Sequence, residues 1–212
     1  MAKGLLLAAF DFSNAHEDEF HDWYDLEHVP ERERVSGFLA CERWIDATNP
    51  KRAVATYDLE SVTVMQSAAY RAIAYENLSP WSRRVTGMCQ RLIRFEGMQI
   101  LPGDLVPAKG AGALLVNAMN VAPDWEDEFN AWYNQEHIPA LAKVPGCIAA
   151  RRFRSTEAEG ASQKYIALYH LEAPEVQASA AWKQAANSPW TEKLRPHFRD
   201  HLRIVARRYV RK

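Results

Sequence analysis

Nearly the whole chain is written twice, and this limits its possible folds more than any single motif does. Residues 17–30, EDEFHDWYDLEHVP, align without gaps on residues 126–139, EDEFNAWYNQEHIP. Nine of these fourteen positions are identical, where chance at ordinary composition gives about one. The repeat also sets Gly4 against Gly112, Gly37 against Gly146, Arg43 against Arg152, and Arg94 against Arg203. SPW at 79–81 meets SPW at 188–190, and YDLE at 57–60 meets YHLE at 169–172 after a short shift. Between the copies lies LPGDLVPAKGAG, residues 101–112, with the proline and glycine content of a linker. The expected organisation is one unit over 1–100, a linker over 101–111, and a second unit over 112–212.

Each copy reads as the same series of elements. An apolar run (5–12; 113–121) suits a buried strand. A helix follows over 15–29 and 124–138, with Asn14 and Glu17 as a capping pair and acidic residues crowding the first turn. Pro30 and Pro139 should disrupt it near its end, because proline lacks the N–H and clashes with the preceding turn. GFLACERWI and GCIAARRFR read as strands, as do AVATYDLE and YIALYHLE. A second helical stretch is expected over 61–75 and 174–186. Ser79 and Ser188, each followed by proline, should open a further short helix. RLIRFEGMQI and HLRIVARRYV close the units as strands. The order is β-α-β-β-α-β, a ferredoxin-like unit. One such sheet carries helices on one face and must bury the other. Two copies can do so by packing their open faces together. The expected fold is α+β: two tandem ferredoxin-like βαββαβ units whose antiparallel sheets pack into an intramolecular α/β barrel.

Bulk properties exclude several function classes. A formal net charge of -1 gives no global field toward nucleic acid or an anionic membrane. The basic stretch LRPHFRDHLRIVARRYVRK reads as a solvated strand and tail, or as an anion-attracting rim. No apolar run approaches the ~20 residues of a membrane span. KGLLLAAF could pass for a signal-peptide core, but GALLVNAM occupies the equivalent place in mid-chain, so it reads as a mature strand. Three cysteines without C-x-x-C spacing suit a reduced, cytoplasmic protein. No glycine-rich phosphate loop and no serine-hydrolase motif is present.

The β-α-β-β-α-β order with E-H-x-P at the end of the first helix resembles the dimeric α/β-barrel superfamily, and within it the EthD-like branch. The likeness covers both halves, as if the usual homodimer were fused into one chain. The superfamily includes cofactor-free monooxygenases, muconolactone isomerases, polyketide cyclases, lyases and haem-binding enzymes. The resemblance therefore implies a fold and leaves the reaction open.

A helical wheel at ~100° per residue puts Phe20, Trp23 and Tyr24 in one buried stripe, with Glu27 inside it and His28 at its margin. Phe129, Trp132, Tyr133, Glu136 and His137 repeat the pattern. A carboxylate on an apolar face needs a partner, and Arg43, Arg152 or the neighbouring histidine is the expected one. Glu27 and Glu136 could equally be structural anchors, and the paired aromatics core. The differences between the copies are more informative. His21 and Asp25 become Asn130 and Asn134, so only the first copy gathers His21, Asp25, His28 and Tyr24 on one flank. Solvation as a surface pair is the competing reading.

The first copy is thus the expected site of a cofactor-independent lyase, isomerase or cyclase acting on a small apolar or aromatic, oxygenated substrate. His28 is the acid/base. Glu27 or Asp25 orients it, with His21 alongside, and Tyr24 donates a hydrogen bond. Arg43 holds an oxyanion, and Trp23, His137, Tyr133 and Arg152 complete the substrate-binding set. His21, Asp25 and His28 have helical spacing suited to metal ligands, but Pro30 and the lack of a fourth ligand point to no metal and no cofactor. The alternative is a non-catalytic binder of hydrophobic molecules or a haem-binding or monooxygenase-type barrel, for which His28, His137 and His170 are the available axial ligands. The expected partners are a small-molecule substrate and, for the fused barrel, a second copy as a homodimer.

Overall fold

The structure is a computed structural model and describes residues 2–107, 110–156 and 162–211. Eight strands close into one antiparallel barrel in the order β1-β3-β2-β8-β5-β7-β6-β4. They are β1 (Gly4–Asp11), β2 (Phe38–Asp46), β3 (Arg52–Leu59), β4 (Gln90–Leu101), β5 (Ala113–Val121), β6 (Cys147–Ser155), β7 (Tyr165–Leu171) and β8 (Phe198–Arg208). Within the first half β1 pairs with both β3 and β4, and β3 pairs with β2. Within the second, β5 pairs with β7 and β8, and β7 with β6. Two seams join the halves, β2 to β8 and β4 to β6.

Strand alternation separates an inner from an outer face. Leu5, Leu7 and Ala9 of β1 point inward with Leu114, Val116 and Ala118 of β5, Phe153, Ile166, Leu168 and Ile204. These side chains fill the barrel, so its interior is core and not a channel. Each fully buried Leu, Ile, Val or Phe there contributes roughly 1.5–3 kcal/mol. The outward residues of each half pack under its own helices, as two further clusters.

The strand register corrects one sequence alignment. Gly4 lies opposite Leu59 and Met98, whereas the residue opposite Leu171 and Arg207 is Ala113. Gly112 is therefore one residue out of step with Gly4. Gly37 and Gly146 do correspond: φ is 94° and 84°, the left-handed region where glycine bears no Cβ penalty, and each turns the chain into β2 or β6.

The first helix departs from expectation. It does not stop near Pro30. α1 (Glu17–Asp22) passes into a π-helical turn, Trp23–His28, and continues as α2 (Val29–Glu33). Its counterpart is α5 (Glu126–Trp132), a π turn over Tyr133–His137, and α6 (Ile138–Ala142). Val29 N–H bonds to Tyr24 O and Ile138 N–H to Tyr133 O, five residues back. The widened turn takes up one extra residue just where proline has no N–H to give, so the helix runs on past it. The N-cap is His16 and makes no side-chain cap bond, so Asn14 and Glu17 do not form the expected capping pair.

The second helical stretch is shorter and more broken than its sequence suggests. It comprises a 3-10 turn (Val62–Gln66) and α3 (Ala68–Arg71) in the first half, and a 3-10 turn (Pro174–Ala178) and α7 (Ala180–Ala186) in the second. The SPW segments do open helices, α4 (Pro80–Met88) and α8 (Pro189–Leu194). Ser79 Oγ accepts from Ser82 N and Ser188 Oγ from Thr191 N. In the expected linker, β4 already occupies Leu101, and Gln99 ties the next turn down through Leu105 O, Gly103 N and Leu105 N. Residues 108 and 109 of that linker lie outside the described residues.

Two polar clusters interrupt the barrel interior, both toward the end where β1 and β5 begin. Arg151 of β6 is fully buried and ion-pairs with Asp58 of β3. In the second cluster Glu42 of β2 accepts from Arg208 of β8 at 2.8 Å and lies 3.6 Å from His170 Nε2. That second distance is too long for a hydrogen bond. By position Glu42 corresponds to Arg151, and Asp58 to His170. The two halves thus supply different charges at corresponding positions.

Candidate functional site

Between the helices and the outer face of the sheet, the first half encloses a cavity of about 570 Å³. Leu6, Ala8 and Phe10 of β1 form its floor, with Trp23 and His28 of the π turn, Tyr57, and Tyr70 as walls. Arg32, Arg83, Arg91 and Arg94 also reach it, and no Asp or Glu does. Arg94 ion-pairs with Glu96, and Arg32 donates to Glu31 at 2.8 Å and to Ile73 O at 3.1 Å. Tyr75 stands at the rim with φ 55°, a left-handed conformation uncommon for a bulky residue, its hydroxyl 3.2 Å from Glu96.

His28 is the histidine of this cavity. Its ring packs against Trp23 at 4.5 Å, Tyr24 at 5.2 Å and Tyr57 at 6.3 Å. Burial, reinforced by Arg32 and Arg43, holds its pKa well below the usual imidazole value, so it is neutral at physiological pH. Nδ1 is sealed from solvent and has no hydrogen-bond partner. An orphaned buried N–H is rarer than an under-satisfied acceptor, which places the single ring proton on Nε2. Neither Glu27 nor Asp25 touches His28, so the expected orienting carboxylate is not one of these two.

Glu27 has a different duty. Its carboxylate accepts from Ser79 Oγ at 2.5 Å and Ser82 Oγ at 3.1 Å, while Trp23 Nε1 donates to Ser82 Oγ at 2.9 Å. In the second half Ser188 donates to Glu136, and Trp132 Nε1 to Thr191 Oγ1 at 3.1 Å. The expected arginine partner is replaced by the N-cap serine of the SPW helix. One bond network therefore accounts for both repeated motifs: W-Y-x-x-E-H-x-P and S-P-W clamp each other.

The flank expected to gather His21, Asp25, Tyr24 and His28 is split. His28 faces the cavity; His21 and Asp25 face Arg43 on the other side. Arg43 donates to Asp25 Oδ1 at 2.5 Å and to His21 Nδ1 at 2.7 Å. Its guanidinium lies 4.4 Å from the Tyr24 ring and 4.1 Å from Tyr209. His21 stacks on Tyr209 at 4.6 Å, and Tyr209 Oη donates to Asp25 at 3.2 Å. Arg211 reaches Asp22 at 2.5 Å and Asp25 at 3.5 Å. Burial and then Arg43 lower the His21 pKa, consistent with a neutral ring accepting from the guanidinium. Arg43 does not line the His28 cavity and borders a separate cleft of about 300 Å³. His21, Asp25 and Asp22, polar residues that the second copy replaces with Asn130, Asn134 and Ala131, dock the chain leaving β8.

In the second half Arg152 donates to Asn134 Oδ1 at 3.0 Å and Asn130 Oδ1 at 2.7 Å, under Tyr133 and Tyr165. Trp132, Tyr133 and His137, but not Arg152, line a cavity of about 380 Å³ in this half. Burial brings the His137 pKa down to about 3, and its Nδ1 is also sealed and unpartnered.

These environments test the other chemistries. His21, Asp25 and His28 do not converge, and no group of three metal-ligating side chains occurs among the described residues. An axial haem histidine almost always donates its second ring N–H to a carboxylate, carbonyl or water. Nδ1 of His28 and of His137 has no such partner, and His170 is wholly inside the barrel with both nitrogens unbonded. These three histidines do not fit haem ligation. Cys89 reaches the first cavity, but burial pushes its thiol up to about 11, far from a thiolate nucleophile at neutral pH.

Sequence reading missed Arg32, Tyr57, Tyr70 and Tyr75, which come from four elements with no common spacing. Arg94 was visible as a residue kept in both copies, without a role.

A family model described as a domain of unknown function, DUF4286, matches residues 114–208. No curated protein matches the chain. Solved structures resemble it over nearly its full length. An anthrone oxidase-like protein shares 12% identity with a TM-score of 0.67, covering 98% of this chain and 92% of its own. A variant chlorite dismutase from Candidatus Nitrospira defluvii gives 14% and 0.63, covering 98% and 92%. A protein of Lactobacillus acidophilus, provisionally named a monooxygenase, gives 10% and 0.57, covering 98% and 94%. The likeness is one of fold: a closed antiparallel barrel with helices packed outside it. No helix among the described residues is long and apolar enough to cross a membrane.

Proposed function

We propose that the first-half cavity is the active site of a monooxygenase-type α/β barrel that oxidises a small, planar, oxygenated aromatic molecule without haem. The chain would be two tandem ferredoxin-like units, of the EthD-like branch, fused over a short linker. Support for the reaction class comes from similarity of fold to an anthrone oxidase-like protein and to a protein named as a monooxygenase. The observation that carries the site is His28: a neutral imidazole in an aromatic cage whose proton sits on the nitrogen that is not sealed. Such a group is a hydrogen-bond donor to developing negative charge and not a proton acceptor. Arginines at the cavity supply the wider positive field.

An enolisable ring ketone illustrates the step. The substrate loses a C–H proton to water, and the enolate oxygen is held by His28 Nε2–H. The carbanion carbon gives its electrons to dioxygen. Loss of a second C–H proton with O–O cleavage leaves a new carbonyl. One oxygen atom ends in the product and the other in water, so dioxygen is the sole oxidant. The expected cofactor-free lyase or isomerase chemistry would share this enolate and consume no oxygen.

Anthrone as probe tests the proposal. Oxygen uptake with anthraquinone formation is expected, and His28→Ala should lower kcat by about 10²–10³, the usual loss for one oxyanion donor. His137→Ala should retain activity. Full activity in His28→Ala removes His28 from the chemistry, and turnover without oxygen uptake returns the lyase reading.

A further inference from the structure

The two cavities differ in how the charge of one matching arginine, Arg94 in the first and Arg203 in the second, is balanced. Leu115, Met119, Trp132, Trp182 and Phe198 give the second apolar walls, and no Asp or Glu lines it. Lys183, Arg195 and Arg203 stand around it. In the first half Arg94 is neutralised by Glu96, two residues along β4. The corresponding residues of β8 are Arg203 and Val205, opposite Asn117 and Leu115 of β5. Among the described residues Arg203 donates to a neutral partner, Gln177 Oε1, at 2.5 Å, and has no ion pair. Lys183 has no ion-pair partner among the described residues, whereas Arg195 is paired with Glu192 at 3.2 Å. Deeper in, Asn117 replaces Ala8 of the first cavity, and its Oδ1 is sealed without a partner.

A cleft with apolar walls and unopposed cations concentrates anions of one shape: an apolar body with a negative group at one end. We propose that this cavity is a second binding site, separate from the His28 site, for a small aromatic monocarboxylate. Its carboxylate sits at Arg203 and Lys183 and its ring lies between Trp132 and Trp182. A guanidinium pairs with a carboxylate bidentately, which gives Arg203 the leading role. The substitution of valine for Glu96 is the change that frees it. At Arg94 of the first half the same ligand would have to compete with the Glu96 carboxylate already in place.

Titration calorimetry of the full chain with 1-naphthoate tests this, with neutral 1-naphthalenemethanol as the control. Binding of naphthoate should weaken as salt rises, and Arg203→Gln should weaken it by about 10- to 100-fold, the range of a charge-assisted hydrogen bond. The alcohol's affinity should not change in that variant. In the unmodified protein, the indole N–H signals of Trp132 and Trp182 should shift on naphthoate addition. Naphthoate affinity unchanged in Arg203→Gln, or shifts confined to Trp23 and Trp81, would overturn the proposal. Loss of naphthoate binding in Arg94→Gln alone would overturn it too, by placing the anion in the first cavity. None of these readouts depends on turnover, so they stand apart from the fate of the oxidase reading.

Discussion

Arg43 and Arg152 occupy the same place in the two halves, beneath the same tyrosine, and are satisfied by different chemistry. Arg43 meets a carboxylate and an imidazole, Asp25 and His21. Arg152 meets two carboxamides, Asn134 and Asn130. The geometry of the fork is kept and the charge is not. The difference follows from what lies above. In the first half Tyr209 and Arg211 arrive from β8, and Arg211 brings a second cation that only a carboxylate can balance. The residues that make the first copy look catalytic in sequence are those that receive a neighbouring strand's exit. What differs between matching segments can thus report a difference in their surroundings, before any difference in chemistry.

The largest test of this asymmetry lies inside the barrel. Arg151→Met leaves Asp58 buried without a partner and should cost about 3–5 kcal/mol in urea unfolding. Asp58→Leu added to it should recover most of that loss. A double variant no more stable than the single one would show that the pair is not the source. Where the halves match, the effects should match. Glu27→Ala and Glu136→Ala each strand a serine hydroxyl at the helix clamp and should cost about 1–3 kcal/mol. A clear inequality between the two would break the equivalence of the clamps.

The buried histidines give a pH test. His137 titrates near 3 in the fold against 6.5 as its ordinary value. Between those values the unfolded chain binds a proton that the native chain refuses. Stability therefore falls as pH drops through this window, by about 1.4 kcal/mol per pH unit from this group. His137→Asn should flatten the unfolding slope between pH 6 and 4 by that amount. An unchanged slope would mean that His137 is protonated in the native protein. The smallest effect concerns the tail. Tyr209→Ala removes a ring from His21 and Arg43 and should cost about 1 kcal/mol. It should also let the His21 pKa rise toward its ordinary value, as read from imidazole NMR shifts. No rise would deny Tyr209 a part in burying His21.

The fold was legible because periodicity and repetition report on backbone and burial. Alternating runs marked every strand, and Ser79-Pro80 and Ser188-Pro189 marked two helix starts. The π turns were not legible. An N–H that bonds five residues back instead of four leaves no trace in composition, and Pro30 alone reads as a disruption near the helix end without showing its form. The site was legible only in part. Trp23, His28 and His137 were found because one short segment carries them. The Glu27–Ser79 contact joins residues 52 apart, and Tyr209 meets Asp25 across 184. No spacing rule spans such separations. The signal that was available was co-repetition: a motif pair kept together in both copies is a pair in contact.

The charges that the two halves bring to these clusters bear on what each half can pair with. A barrel of two first halves would bring Glu42 against Asp58 in both clusters, four carboxylates with no cation among them. A barrel of two second halves would bring Arg151 against His170 and Arg208 in both clusters, with no anion. Each half is the counterion of the other. The covalent connection then does more than tether them: it fixes the one-to-one stoichiometry that electroneutrality of the interior requires.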